Sequence, residues 1–392
     1  MKILWINDEA NFTGGAETYI YQSAQVLCQR YDVQNILLYN VNSRIGYEYS
    51  KVFSFASVLV DLKQQINLIK PDIIYVHQVA DIEVLKQLSQ IEIPVIGFIH
   101  DHKHFCLREH KYTTIGHKTC TQAVGANCYS CLGFINKKKD FPYISINSVS
   151  NVRAVQNVLK KFRHMVVASE YMKEHLLLHG FREEKISKII LFSKHTNNLY
   201  HKGITQEVNR LLFVGQLVRG KGVDTLLNAF AKIQSNEIIL DICGDGKQRV
   251  ELEEQAKHLN ISTRVVFHGK VAPDELSNYY MNAYAVVIPS RAPETFNLVG
   301  LEAMKHAKAV IGTNVGGIKE WLIDGENGFT FESNDEVKLA SLLTFCVNNP
   351  NVMKKMGDQG LNNYNESFTP EIHCTKLYNL FESLLLKDSY AV

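Results

Sequence analysis

Short, unbroken apolar runs alternate with amphipathic stretches along most of this chain. KILWIN is followed by AETYIYQSAQVLCQR, VQNILLY by VLVDLKQQINLIK, and DIIYVH by DIEVLKQLSQ; PVIGFIH, HMVVAS, EYMKEHLLLHG and KIILF continue the series. Apolar runs without in-out alternation mark strands buried on both faces, as in parallel sheets crossed by helices. A doubly wound α/β domain is therefore expected over residues 1–195. The polar stretch SKHTNNLYHKGITQEVN (193–209) interrupts this rhythm and reads as a linker. RLLFVG, VDTLLNAFAKI, EIILDICGDG, QRVELEEQAKHL, RVVFHG, DELSNYYMNA and YAVVIPS then restart it, predicting a second such domain over 206–368. After Pro370, PEIHCTKLYNLFESLLL predicts a helix within 369–392 that packs back on the first domain. The expected fold class is α/β: two doubly wound, Rossmann-like domains facing a cleft.

Candidate chemistry falls where these strands hand over to helices. YAVVIPS (284–290) ends at Pro289, and NLVGLEAMKHA (297–307) has helical apolar spacing at Leu298, Leu301 and Met304. Glu294 thus lies in the turn and Glu302 about a turn and a half into the helix, both near a carboxyl sheet edge, where open α/β folds bind ligands. Unpaired peptide N–H groups at such a helix start attract anions, so a phosphate-bearing ligand suits the place. Three glycine turns occupy matching positions. Gly14 and Gly15 precede a helix in TGGAET, Gly215 ends a strand in FVGQLVRGKG with Lys221 ahead of the next helix, and Gly316 and Gly317 stand in TNVGGIKEW. His100 and Asp101 close the strand PVIGFIH.

Length and composition narrow the classes. At 392 residues, 46% hydrophobic and 21% charged, the chain is a folded protein too long for one ordinary core. No 18-residue apolar window predicts a spanning helix, and the start MKILWIND reads as a first strand rather than an export signal. A cytoplasmic protein is expected, with any membrane contact at the inner face and peripheral. Charge is uneven: residues 1–200 hold 23 Lys and Arg against 17 Asp and Glu, the remainder 19 against 23. The basic residues Lys137, Lys138 and Lys139, and Arg153, Lys160, Lys161 and Arg163 in SVSNVRAVQNVLKKFRHM (148–165), suit anionic lipid or an anionic acceptor, with an ordinary solvated face as the alternative. Aromatics are not interleaved with these charges, so no nucleic-acid site is read.

Four of the eight cysteines, Cys106, Cys120, Cys128 and Cys131, fall in a Cys-rich insert at 102–140 that directly follows His100 and Asp101. In a chain without an export signal this cluster points to a structural zinc that orders the loop; disulfides and unligated thiols are the alternatives. Cys28, Cys243, Cys346 and Cys374 lie in apolar helix or strand patterns and read as core.

The succession GGAE, IHD at 99–101, SEYMKEHLLLHGF, FVGQLVRGKG, CGDG, FHG, PSRAPETF with Glu302 eight residues after Glu294, and NVGGIKEWLIDGENGF resembles the retaining glycosyltransferases of family 4, with the GT-B fold. The resemblance covers nearly the whole chain in order. It implies a retaining, hexosyltransferase-type enzyme that moves a sugar from a nucleotide diphosphate sugar to a polysaccharide or glycolipid acceptor, without a catalytic metal. The chain has no Asp-x-Asp for metal-dependent transfer and no G-x-G-x-x-G after its first strand for a dehydrogenase. By position, Glu302 would hold the ribose, Glu294 the transferred sugar, and His100 the donor sugar and acceptor. The diphosphate would fall to Lys221, Gly14, Gly15 and Gly215, with backbone amides of Phe296, Asn297, Leu298 and Val299. The family's arginine after the FVG glycine is replaced here by Gln216, with Arg219 as the nearby substitute, and Asn297 stands where many members have glycine. An epimerase or phosphorylase of the same fold, or a binding protein without turnover, are the other readings.

Overall fold

The computed structural model describes residues 1–113, 118–137, 144–193, 210–235 and 237–389. The chain divides into two compact units. One comprises Met1–Ile115, Thr121–Lys194 and Pro370–Val392, and the other is built mainly from His195–Thr369. Apart from Ser193, the stretch read as a linker up to residue 209 lies outside the described residues, as do Lys138 and Lys139.

The first unit carries strands β1 (Lys2–Asn7), β2 (Gln34–Tyr39), β3 (Phe55–Val58), β4 (Ile73–Val76) and β5 (Val95–Ile99), a short hairpin β6 (Ile135–Lys137) and β7 (Ile144–Ile146), then β8 (His164–Val167) and β9 (Ile186–Lys188). Seven of these form one sheet in the order β3-β2-β1-β4-β5-β8-β9, every pair parallel. Four of the five residues of β1 after Lys2 are core aliphatics or Trp5, and β4 and β5 are buried end to end, as the unbroken apolar runs require. Leu4, Ile6, Ile74, Val76 and Met165 pack there with Leu85, Leu159 and Leu176 from the covering helices. The edge strand β3 differs from the sequence reading, which gave Phe55–Ser57 to no element and merged Val58 with the following helix. Its exposed and half-buried pattern carries no core signal, because an edge strand has a partner on one side only. The strand expected at KIILF starts two residues earlier as β9, and Ile189 continues the ladder with one bond to Val167.

The second unit carries β10 (Arg210–Val214), β11 (Ile239–Cys243), β12 (Val265–Gly269), β13 (Ala283–Ile288), β14 (Ala309–Thr313) and β15 (Gly328–Phe331). They form an all-parallel sheet in the order β12-β11-β10-β13-β14-β15. A single cluster of Leu211, Phe213, Leu226, Phe230, Ile242, Val287, Ile311, Leu339 and Leu343 fills its centre. In both sheets the winding reverses at the first strand, β1 or β10, which places a crevice at the carboxyl ends of β1 and β4, and of β10 and β13.

The C-terminal helix Pro370–Ser389 belongs to the first unit and is locked to it by a buried polar chain. His373 Nδ1–H donates to the Ile190 carbonyl at 2.7 Å, which leaves Nε2 to accept from the Tyr19 hydroxyl at 2.9 Å; the Tyr75 hydroxyl then donates to Tyr19 at 3.1 Å. Cys374, Leu377 and Phe381 of the same helix are fully buried, and Tyr378 stacks on Tyr31 at 4.2 Å. Three of the four cysteines read as core are buried; Cys28 is exposed, because its position on the helix Gly15–Tyr31 falls off the buried stripe. Replacing His373 with Ala removes two buried hydrogen bonds and opens a cavity, a loss of about 2–4 kcal/mol in the first unit. Amide hydrogen exchange in 370–389 should then accelerate while that of the second unit stays unchanged; equal acceleration in both units would contradict this local role.

Candidate active site

In the second unit the reversal point is occupied by two loops that are hydrogen-bonded to each other. The β10 loop contains the turn Arg219–Lys221, and the Gly220 carbonyl accepts from the N–H of Arg291 at 2.8 Å and of Ala292 at 3.0 Å in the β13 loop. Gly222 has φ 69°, and a Cβ there would stand 2.0 Å from the Pro289 carbonyl oxygen, so only glycine allows the two loops this close. The buried Arg291 guanidinium secures the contact by donating to Asp224 Oδ2 and Thr225 Oγ1, both at 2.6 Å.

This apposition brings Lys221 and Glu294 together across 73 residues of sequence. Lys221 Nζ lies 2.8 Å from Glu294 Oε1, with side chains only 29% and 16% exposed. Ser290 Oγ donates to the same oxygen at 2.6 Å. Burial pushes the Glu294 carboxyl up, but the Lys221 charge and the hydrogen bonds from Lys221, Ser290 and Asn297 outweigh it and hold the carboxyl below its usual range. Glu294 is therefore an anion and Lys221 its counter-ion. A phosphate arriving beside Lys221 meets a cation that is already positioned, and a hydroxyl arriving beside Glu294 meets a fixed acceptor.

Beyond Glu294 the chain turns into the helix Leu298–Lys305 through Asn297, whose backbone is held at φ 73°, ψ 91°. For a residue with a Cβ this conformation is strained, on the order of 1 kcal/mol or more. No side chain caps the helix, so its first peptide N–H groups, at Leu298 and Val299, have no side-chain acceptor. Phe296 anchors the turn: its ring is 1% exposed and its carbonyl accepts from Trp321 Nε1 at 2.8 Å. The glycine pair Gly316 and Gly317 supports this loop. Gly317 N–H donates to the Glu294 carbonyl at 2.7 Å, and Cβ atoms at Gly316 and Gly317 would stand 2.2 and 2.3 Å from the carbonyl oxygens of Glu294 and Thr295. Glu302, on the same helix, takes one hydrogen bond, from the buried Tyr280 hydroxyl to Oε2 at 2.6 Å. Its carboxyl is raised by burial, against the lowering influence of Tyr280 and Lys305.

The first unit places its own candidates at the carboxyl ends of β1, β4 and β5. Gly14 is the extended N-cap of the helix Gly15–Tyr31 and has no side-chain cap of its own. His100, just past β5, pairs with His77, just past β4, through Nε2 and Nδ1 at 2.9 Å. His77 stacks flat on Trp5 at 5.4 Å. Burial drives the His100 pKa down to about 3 and that of His77 well below the ordinary imidazole value. Asp101 is turned away into local bonds, accepting from Lys103 N–H and Gln78 Nε2.

Residues 197–363 match the family model described as Glycosyl transferases group 1. The chain is 30% identical over 243 residues to an uncharacterised glycosyltransferase of Methanocaldococcus jannaschii, covering 59% of this chain and 66% of that protein. It is 33% identical over 135 residues to the lipopolysaccharide 1,2-N-acetylglucosaminetransferase of Salmonella typhimurium, covering 32% and 35%. The chain thus spans less than two thirds of the length of these curated relatives. Among solved structures, Anabaena HepE in complex with UDP superposes with a TM-score of 0.75 at 17% identity, over 98% of this chain and all of that one. Sucrose-phosphate synthase of Thermosynechococcus elongatus gives 0.75 at 18%, over 98% and 99%. The fold is GT-B.

Within the GT-B frame, the remaining sequence candidates take these positions. Cys106, Cys120, Cys128 and Cys131 are half-buried and form no disulfide, and among the described residues no group of three or more His, Cys, Asp or Glu is gathered at one point. Cys128 and Cys131 sit on and just after the one-turn helix Asn127–Ser130, and the insert is held by Leu107, Val124 and Val149 and by the hydrogen bond from Val124 N–H to His179 Nε2. Arg219 is exposed and has no ion pair among the described residues. Gly215 is engaged in the strand ends, donating to the Cys243 carbonyl at 3.0 Å. In the basic helix, Arg153 donates to the Val124 carbonyl and Lys160 lies over the Phe181 ring, so part of that stripe is structural. Ser290, Tyr280, Arg291 and His77 were not singled out from the sequence. A lone Ser, Tyr, Arg or His has no pattern of its own, and only the β10–β13 and β4–β5 pairings bring them to the edge.

The buried histidines set a pH dependence. An unfolded histidine protonates near pH 6.5 and His100 only near 3, so between these values the unfolded chain binds more protons. Its contribution to stability is complete above about pH 6.5 and is lost as pH falls toward 3. NMR of ring-labelled protein should show no titration of His100 from pH 8 to 5; a midpoint near 6.5 would refute the buried, neutral assignment.

Proposed function

We propose that the protein is a retaining glycosyltransferase of family 4 that transfers a hexose from a nucleotide diphosphate sugar to a glycan or glycolipid acceptor. The observation that carries this reading is the Lys221–Glu294 pair at the β10–β13 reversal, next to an uncapped helix start. Charge develops on the leaving diphosphate during transfer, and a preset cation with helix N–H groups stabilises it where it forms. Glu302 Oε1, which has no protein partner among the described residues, is offered to the ribose, and Glu294 to the sugar hydroxyls. From the first unit, neutral His100 serves as a hydrogen-bonding group and Gly14 and Gly15 as a diphosphate turn. The acceptor proton passes to the departing phosphate oxygen, so no protein nucleophile takes part. The UDP in the HepE complexes and the lipopolysaccharide substrate in the Salmonella enzyme's name support a uridine nucleotide and a glycan or glycolipid acceptor. A cytoplasmic site beside the membrane fits such an acceptor, with exposed Lys161 and Arg163 toward anionic lipid. Among the described residues no helix is long and apolar enough to cross a membrane.

Nucleoside diphosphate should be released only when acceptor is present, and the new glycosidic bond should keep the donor's anomeric configuration by NMR. Interconversion of the nucleotide sugar without acceptor would assign an epimerase instead. Glu294→Gln removes the anion that holds Lys221 and binds the sugar, and should lower turnover at least about tenfold, roughly 1.4 kcal/mol of transition-state stabilisation. Wild-type turnover in that variant would exclude Glu294 from the site.

A further inference from the structure

Asn297 is the one residue of the Glu294 loop whose backbone conformation works against its own side chain. At φ 73° a glycine would be unstrained, yet the position carries an amide. That amide is oriented. Its hydrogen bond to the Glu294 carboxylate must come from Nδ2, because a carboxylate only accepts. Glu294 is in turn held by Lys221 and Ser290, so the amide cannot flip without losing a charge-assisted bond. The consequence is that Oδ1 is buried with no hydrogen-bond partner. A strained backbone and an orphaned buried acceptor in one residue both weigh against the free protein, and a ligand hydrogen-bond donor would relieve the second.

Resting on the reading of Glu294 as a sugar contact, we propose that Asn297 determines donor specificity: Oδ1 accepts a hydrogen bond from a hydroxyl or amide N–H of the transferred sugar. A sugar lacking a donor group at that point leaves the buried oxygen unpaired and is rejected, whereas a glycine there would tolerate both kinds. Discrimination of this type is strong because the penalty falls on the protein's own buried group.

The test compares wild type with Asn297→Gly, using calorimetric titration with uridine, guanosine and adenosine diphosphates and with their hexose derivatives, including deoxy analogues. The variant should melt no lower than wild type, since its backbone is relaxed, and each protein's own affinity for the free diphosphate is the reference against which its sugar nucleotide is read. The variant should lose at least about tenfold of the extra affinity that wild type shows for its preferred nucleotide sugar over the bare diphosphate, and with it the discrimination against the deoxy sugar. An unchanged ratio of sugar nucleotide to diphosphate affinity in Asn297→Gly overturns this assignment alone. A wild-type protein that binds no nucleotide sugar overturns the assignment together with the proposed function. Asn297→Asp supplies the control for folding: it keeps an acceptor oxygen but faces Glu294 with a second carboxylate, so sugar discrimination should survive at low pH and weaken as pH rises; pH-independent discrimination would contradict the amide orientation.

Discussion

The loop Pro289–Asn297 is clamped from both sides by peptide groups, and the chemistry at the carboxyl edge of the second unit depends on that clamp. On one side the Gly220 carbonyl receives two N–H groups from Arg291 and Ala292; on the other, Gly317 donates to the Glu294 carbonyl. Backbone contact at these distances is possible only where a Cβ is missing, which Gly222, Gly316 and Gly317 supply. With the loop fixed, Lys221 and Glu294 meet at 2.8 Å without either side chain having to search for the other. The entropy of holding two long side chains in one geometry, which makes surface ion pairs weak, is reduced here by the packing around them.

The same clamp explains how the site keeps opposite charges poised. A carboxylate this buried would rise in pKa if left alone, as Glu302 does with a single Tyr280 bond. Glu294 instead stays ionised because Lys221, Ser290 and Asn297 converge on it. Two glutamates eight residues apart thus face different environments, and the difference comes from their neighbours rather than from their own position on the chain. In the first unit, the His77–His100 pair is shaped by the opposite condition. It is buried against Trp5 and Phe98, and desolvation keeps both rings neutral.

Much of the architecture was legible before any coordinates. Continuous apolar runs such as IIYV and AVIGT can only be strands buried on both faces, and they are. The turn holding Glu294 and the helix holding Glu302 follow from the change of apolar period at Pro289 and Leu298. Legibility failed where burial is one-sided. β3 was lost because an edge strand lacks a core pattern. The third glycine turn showed in the sequence only as a turn before a helix start, and the fold adds that its glycines let Glu294 and Thr295 approach.

The sequence by itself determined the alternation of strands and helices, the place of each loop at a carboxyl edge, and the residue types available there, because these depend on periodicity over a few neighbouring positions. Tertiary structure alone decided which of those residues meet. Lys221 and Glu294 are 73 residues apart, and Tyr19 and His373 are 354 apart. Contacts of that kind exist only once β10 lies beside β13, or once the last helix returns to the first sheet. The backbone angle of Asn297, and with it the stranded oxygen of its amide, belongs to the same class: no pattern along the chain encodes a conformation imposed by segments packed against it from elsewhere.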